Sequence, residues 1–432
     1  MNLKINLKEK TVLVVCNPLF ASMAERMSRA FGRTLLYIPH AGSFPTMNHA
    51  LVGYGLPGVE LVESVFGPHF EEVDLFLFCD LGHAPLQIQL EKMGKRVFGT
   101  RNGEEMEVYR ELCKEHMESL GLPVQPWTVI TGVDALREYL KEHEEVHIKI
   151  NRYRGVTESF FSPSYSVVET KLDAIAQDLG AFKNVLEFIV EENLPSCVEI
   201  GVDTFCVDGK YPETTLIGLE IKDQFYAGKI VKFSGLHPVL RRWNEAMAPM
   251  FAKYGYRCSL SNELRITEDL KDYCIDATCR APSPPSELWQ ELFTNLPEMV
   301  WGAAEGKVVE PVPAAKWGVE VIIKSAWAKD HWLPVEYDPQ FERQIKLYNC
   351  AVVDGKRYVV SQDEDMAEVG AVVGWGDTLQ EAIAHCQKAG DSIKAYGVSF
   401  KMGSVDAATD QMEELEELGI SPFTLDSKEK PA

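Results

Sequence analysis

The chain has 432 residues, a formal charge of −22 at pH 7, and 46% hydrophobic against 25% charged residues. That length is ample for about three domains with buried cores, and the composition is that of a folded, not a disordered, protein. The acidity argues against nucleic-acid or anionic-membrane partners, which require a basic face, although it leaves room for a local basic pocket.

No apolar run approaches the roughly 18–20 residues of a membrane-spanning helix. The opening residues Met1–Lys8 alternate polar and apolar without a signal core, and the ten cysteines lack paired spacing. These features predict a cytoplasmic chain with reduced cysteines. Cys274 and Cys279, the nearest pair in this respect, have no neighbouring histidine and make a poor zinc half-site.

In chain order, strands are predicted at Thr11–Val15, Thr34–Ile38, Val73–Phe78 and Arg96–Phe98, with a helix at Ser22–Phe31. This βαβ rhythm predicts a small open parallel sheet. Glu104–Leu120 reads as one long amphipathic helix ended by Gly121 and Pro123. Strands follow at Trp127–Ile130 and Val146–Ile150 around a helix at Asp134–Lys141. Further strands are predicted at Asn184–Val190, Ser196–Val207, Thr214–Ile221 and Lys229–Phe233, an antiparallel-rich pattern ending near Leu296. A Pro-, Gly- and Ala-containing linker at Glu305–Ala315 precedes strands near Val319–Ile323 and Arg357–Val360, a helix at Thr378–Tyr396 and an acidic amphipathic segment at Ala407–Leu418. The expected domains are 1–103, 104–304 and 305–432.

Two motif matches do not survive their context. His143-Glu-Glu-Val-His147 has the zinc-protease spacing, but its second histidine falls in an alternating, β-branched run, where a strand points the pair apart. Gly53-Tyr-Gly-Leu-Pro-Gly58 has dinucleotide-fingerprint spacing, yet no clear strand precedes it and Pro57 removes an amide that would face phosphate. A turn is expected there.

A different arrangement points to nucleotide chemistry. Lys149 lies on a strand that leads into the polar, Gly-containing stretch 151–159, so its ammonium can neutralise phosphates beneath a loop. Phe188-Ile-Val-Glu-Glu-Asn-Leu194 is an apolar strand running into Glu191 and Glu192, with Leu194 beyond, a hinge whose backbone can read a base edge. Glu199 is spaced to accept ribose hydroxyls. Two further stretches, around Glu263 and from Asp272 to Arg280, read as neighbouring strands, each with an inward carboxylate. Glu263 and Asp276 can together hold Mg²⁺, and Arg280 can stabilise charge on a transferring phosphoryl group.

This order resembles the ATP-grasp superfamily: strand lysine, Glu-Glu-x-Leu hinge, ribose Glu199, Glu263, then Asp276-x-Thr278-x-Arg280. Arg110–Val124 is similar to the helix that carries that family's first phosphate-binding lysine. Residues 372–397, which begin Val-Val-Gly-Trp-Gly-Asp-Thr-Leu-Gln-Glu-Ala-Ile-Ala, are similar to the C-terminal domain of the phosphoribosylamine–glycine ligase branch. The resemblance implies an α/β and α+β multidomain ATP-grasp fold, with an N-terminal open parallel sheet and a small C-terminal α+β domain. It further implies ATP and Mg²⁺, with Mn²⁺ as a substitute, and a carboxylate and an amine as small-molecule substrates. Arg110, Lys149 and, with less support, Lys222 would approach phosphates. Glu191, Glu192 and Leu194 would line the base, and Glu199 would hold ribose. Glu263 and Asp276 would bind metal, and Arg280 would contact an acyl-phosphate.

The departures bear on metal count and substrate. Arg110 stands where the family has Lys, and Asp276 and Thr278 replace the usual Glu and Asn. The first strand runs into Cys16-Asn-Pro18 rather than Gly-Gly-Arg-Glu, and Asn-Thr-Gly-Gly-Met-Gly is missing. The expected activity is therefore ATP-dependent carboxylate–amine ligation through an acyl-phosphate, with release of ADP and phosphate. The alternatives are glycinamide ribonucleotide synthesis proper and a nucleotide sensor without turnover. The oligomeric state stays open, with a homodimer one reading. Specificity is expected from His40–Gly58, Asp80–Pro85 and Gly235–Arg242.

Overall fold

A computed structural model describes residues 5–39, 51–151, 159–194, 197–222, 224–361, 368–402 and 405–423. The first 103 residues contain β1 (Thr11–Val15), α1 (Ala21–Ser28), β2 (Arg33–Tyr37), β3 (Val59–Leu61), β4 (Leu75–Phe78), α2 (Ala84–Lys92) and β5 (Arg96–Phe98). Next come α3 (Glu105–Val108), α4 (Arg110–Ser119), β6 (Trp127–Thr131), α5 (Val133–Leu140), β7 (Val146–Ile150), β8 (Ser159–Ser162), α6 (Tyr165–Leu179) and β9 (Glu187–Glu192). The long strands β10 (Cys197–Val207), β11 (Thr214–Ile221) and β12 (Phe225–Lys232) lead to α7 (Pro238–Lys253), β13 (Arg257–Thr267) and β14 (Asp272–Thr278). Two helices, α8 (Ser286–Leu292) and α9 (Leu296–Ala304), precede β15 (Trp317–Lys324).

The chain divides into two compact units. The first comprises Met1–Gly103, Glu199–Asn262 and Thr278–Ala432; the second comprises Glu104–Val198 and Glu263–Ala277.

In the first unit, β1 to β5 form a parallel sheet in the order β3-β2-β1-β4-β5. Its strands are continuous apolar runs: Val12 to Val15 and Leu75 to Phe78 are all buried, as expected of a parallel sheet covered on both faces. An antiparallel sheet joins β11 to β12 and β12 to β15, then continues through Glu368–Gly376 to Ile345–Leu347. The helix Leu379–Gly390 begins with a capping box between Thr378 and Glu381 and ends earlier than its apolar periodicity predicts.

The second unit is a four-stranded antiparallel sheet in the order β6-β9-β7-β8. Strand alternation determines what each face carries. Val146, Ile148 and Ile150 of β7 and Phe188 and Val190 of β9 pack with Val133, Leu136 and Leu140 of α5 and Val168, Leu172 and Ile175 of α6. His147, Lys149 and Glu191 therefore fall on the opposite face. The second half of β13, from Glu263, and β14 as far as Ala277 complete this unit.

The single helix expected over Glu104–Leu120 is two helices. Tyr109, at φ −105° and ψ 82°, breaks the run, and α4 restarts at Arg110. The restart turns a new stripe inward: Arg110, Cys113, Lys114 and Met117 are all buried. His147 lies in β7, and Gly53, Gly55 and Gly58 have positive φ in an irregular segment before β3, so neither rejected motif has the geometry its chemistry needs. Among the described residues, no helix is long and apolar enough to cross a membrane.

Candidate active site

In the second unit, Arg110, Cys113 and Lys114 of α4, Lys149 of β7, Glu191 of β9, and Cys274 and Asp276 of β14 line one small cavity. Glu191 is its electrostatic centre. Lys114 Nζ stands 2.6 Å from Glu191 Oε1, and Lys149 Nζ stands 3.5 Å from Oε2. The Gln125 side-chain amide donates to the same Oε2 at 3.1 Å. Burial works to raise the Glu191 carboxyl, but Lys149 and Lys114 outweigh it and hold the group below its ordinary value.

Burial alone would lower the Lys149 ammonium. Glu191, Asp276 and Glu263 overcome that and the opposing charge of Arg110, so Lys149 is held above its ordinary value. Both sequence-predicted metal carboxylates thus act on the predicted phosphate lysine. Lys149 also donates to the Ile275 carbonyl, and Arg110 Nη1 donates to the Ile150 carbonyl at 2.9 Å. Those contacts fix the two cations against the middle of β14 and the end of β7.

The donor set suits a hard cation. Glu263 and Asp276 offer carboxylate oxygens, whereas burial pushes the Cys113 thiol up to about 12 and raises Cys274 strongly, so neither sulfur is a ready thiolate. Among the described residues no group of three or more His, Cys, Asp or Glu converges on one point. Two carboxylates nevertheless suit Mg²⁺, which is commonly held by one or two carboxylates together with substrate phosphates.

Glu191 was expected at the base-reading hinge, but its backbone is paired with Trp127 on one side and His147 on the other, while its side chain turns to the lysines. Glu192 is exposed, and its N–H donates to the Pro126 carbonyl at 3.0 Å. Hinge backbone beyond the ladder begins at Asn193 and Leu194. The Leu194 carbonyl lies 3.5 Å from Cys197 Sγ, and Asn193 Oδ1 lies 3.2 Å from His147 Nε2.

Lys114 also lines this cavity, and the sequence reading missed it. Its signal was a charged side chain four residues after Arg110, on the same helical stripe as Cys113 and Met117.

Glu199, Lys222 and Arg280 belong to the first unit. Glu199 is half-buried on β10, and Lys222 is exposed just past β11. Arg280 Nη1 donates to the Ala281 carbonyl at 3.0 Å, and its Nε lies 3.7 Å from Asp80 Oδ1. The Asn17 side-chain amide donates to Asp80 Oδ2 at 2.5 Å. Asp223, residues 152–158 of the expected lid, and residues 40–50 of the expected specificity loop lie outside the described residues.

No protein-family model matches the chain, and no curated protein does. Solved structures match over almost its whole length. The phosphoribosylamine–glycine ligase of Thermotoga maritima has a TM-score of 0.69 at 15% identity, covering 90% of this chain and 98% of its own. The biotin carboxylase domain of Hydrogenobacter thermophilus 2-oxoglutarate carboxylase, solved as a dimer with MgADP, ADP and bicarbonate, has a TM-score of 0.65 at 12% identity, covering 95% and 98%. The L-amino acid ligase of Bacillus licheniformis has a TM-score of 0.57 at 12% identity, covering 91% and 99%. Likeness of this extent at such low identity is a statement about architecture: the chain has the ATP-grasp fold.

Proposed function

We propose that the chain is an ATP-dependent carboxylate–amine ligase of the cytoplasm that proceeds through an acyl-phosphate and releases ADP and phosphate. The observation that carries this reading is the gathering of Arg110, Lys114 and Lys149 with Glu191 and Asp276 around one cavity of a chain whose net charge is −22. Buried cations are costly without anionic partners, and three of them gathered around one cavity suit a polyanionic ligand such as a triphosphate.

In this reading Lys114, Lys149 and Arg110 bind the triphosphate, and the backbone at Asn193 and Leu194 meets the base. Glu199 takes the ribose hydroxyls, Glu192 borders the hinge, and Lys222 is the weakest member of the set. Glu263 and Asp276 would hold Mg²⁺, or Mn²⁺, which when bound neutralises charge on the phosphates. The carboxylate substrate attacks the γ-phosphorus, ADP leaves, and Arg280 steadies the acyl-phosphate until the amine displaces phosphate. Catalysis here is chiefly positioning and charge neutralisation. Segment 1–103 would supply substrate contacts, 104–304 nucleotide contacts and 305–432 the closing cap.

Two solved relatives bear names of carbon–nitrogen ligases, which supports the reaction class. The substrate pair is left at a carboxylate and an amine. The test is Mg²⁺-dependent ADP release across a panel of carboxylic acids with and without amines. Release that requires both an acid and an amine supports ligation. Tight ATP binding with no release under any pairing favours a sensor.

A further inference from the structure

Around Glu291 of α8, the first unit gathers four cations on one carboxylate. Arg29, just past α1, places Nη1 at 2.8 Å and 3.1 Å from the two Glu291 oxygens. Arg343 Nε donates to Glu291 Oε2 at 2.7 Å, and Lys346 Nζ donates to Oε1 at 2.7 Å. Arg26 of α1 finds only carbonyls: its Nε donates to Gln290 O at 2.5 Å and its Nη2 to Thr294 O at 3.0 Å. The neighbouring acids do not make up the difference. Glu25 and Glu342 both pair with Arg357, and Glu298 acts on Arg26 from beyond ion-pair distance.

The two inner cations register the imbalance. Burial holds Arg26 below its ordinary value, and Arg29 and Arg343 add to that against the pull of Glu291. Lys346 is lowered too, by burial and by Arg29, although Glu291 opposes both. An added anion would stabilise the charged form of each. The two outer cations have the donors to receive it. The side chains of Arg29 and Arg343 are 37% and 59% exposed, whereas Lys346 is sealed. Glu291 engages only Nη1 of Arg29 and only Nε of Arg343. Among the described residues, the other guanidinium N–H groups of both have no hydrogen-bond partner. Both arginines reach the same Oε2, so their open edges stand together at the surface, and the Arg343 guanidinium lies 5.8 Å from the centre of the Trp375 ring. Planar forks of this kind match the oxygens of a phosphate.

We propose that Arg29 and Arg343 form a binding site for a phosphate group, either inorganic or carried by a small phosphate monoester. Glu291 fixes the two guanidinium groups, and Lys346 and Arg26 supply charge behind them. The site is built from α1, α8 and residues 343–346 of the first unit, and it shares no residue with the cavity around Glu191. No bond is made or broken there: the group is held by charge and by the open N–H donors. The site stands whether or not the ligase reading does.

The test is equilibrium dialysis of the full chain against radiolabelled inorganic phosphate at fixed ionic strength, because exposed charges are screened by salt. Lys149→Ala is measured beside the wild type to discount phosphate held in the nucleotide cavity, and is expected to retain one bound phosphate per chain. In that background Arg343→Gln and Arg29→Gln should each weaken binding by about tenfold. Arg343→Lys keeps the charge without the fork and should recover only part of the loss, which separates recognition from general charge. Circular dichroism confirms that each variant is folded. Glycerol 3-phosphate as competitor distinguishes the two sources: displacement at a lower concentration than unlabelled phosphate assigns the site to a monoester, and displacement at an equal or higher one to free phosphate. Loss of all phosphate binding in Lys149→Ala would overturn the proposal. So would undiminished affinity in both arginine-to-glutamine variants.

Discussion

Lys114 Nζ and Glu191 Oε1 stand 2.6 Å apart, both side chains nearly sealed from solvent, with Lys149 reaching the carboxylate's other oxygen at 3.5 Å. One buried anion thus pins two cations that arise on different elements, α4 and β7, and holds them toward the same cavity. Removing that anion takes from Lys114 its paired carboxylate and from Lys149 the strongest of the charges that hold it protonated. Glu191→Gln is predicted to destabilise the second unit by about 3–5 kcal/mol, read as a lower midpoint in urea unfolding. Lys114→Ala, which leaves Lys149 on the carboxylate, should cost less.

Lys149→Ala keeps the Lys114–Glu191 pair and should preserve the fold while weakening ATP binding by about 10- to 100-fold. Titration calorimetry with the folded variant measures this. Affinity equal to wild type would move the phosphate site elsewhere. Glu263→Ala and Arg280→Ala are expected to abolish ADP release with their circular dichroism unchanged. Activity in both would show the site to be misplaced.

Cys197 is half-buried, with its thiol on the Leu194 carbonyl, whereas the other nine cysteines are buried. Alkylation of the native chain by iodoacetamide should therefore mark Cys197 first. If Leu194 meets the nucleotide base, ATP should slow that labelling several-fold without affecting labelling after denaturation. Peptide mapping by mass spectrometry reads the outcome, and unchanged protection would argue against the hinge assignment.

The first unit should lose stability at both ends of the pH scale, for opposite reasons. Glu320 is buried on β15 beside Glu287 of α8, and burial together with that like charge raises its carboxyl well above the ordinary range. Its contribution is complete below the unfolded-state value and is lost as pH rises through the raised folded value. Glu291 is the reverse case: burial opposes ionisation, but Lys346, Arg29 and Arg343 hold its carboxyl down at about 2. Its contribution is present above the unfolded-state value and is lost as pH falls toward about 2. Melting temperature against pH should flatten on the alkaline side in Glu320→Gln. In Glu291→Gln the acid dependence should shrink and the overall stability should fall.

Elements whose residues carry their own period were readable in advance. Thr11–Val15, Val146–Ile150 and Thr214–Ile221 are strands with the bounds their alternation or apolar runs predict. The same alternation placed Lys149 opposite the core. The break at Tyr109 was not readable, because Glu104–Leu120 has unbroken helical character, and the contact that Arg110 makes with the Ile150 carbonyl at the restart is tertiary. Lys114 escaped notice because a lysine on an amphipathic helix ordinarily lies on the wet face. Its burial depends on Glu191, 77 positions later in the chain and on another element. The side-chain partners of Glu191 were hidden for a similar reason: acidic residues at a strand end look solvated until the tertiary fold brings up their cations. Asp80 and Asn17 gave no local sign of their partnership with Arg280, which only the tertiary fold provides.

Activation of a carboxylate by ATP as an acyl-phosphate requires one carboxylate oxygen to pass to the released phosphate. With an acid that supports ADP release, labelled in its carboxylate with heavy oxygen, the account predicts that one labelled oxygen appears in the released phosphate per turnover. Mass spectrometry of the phosphate reads this. Phosphate free of label, alongside full ADP release and amide formation, would contradict the account.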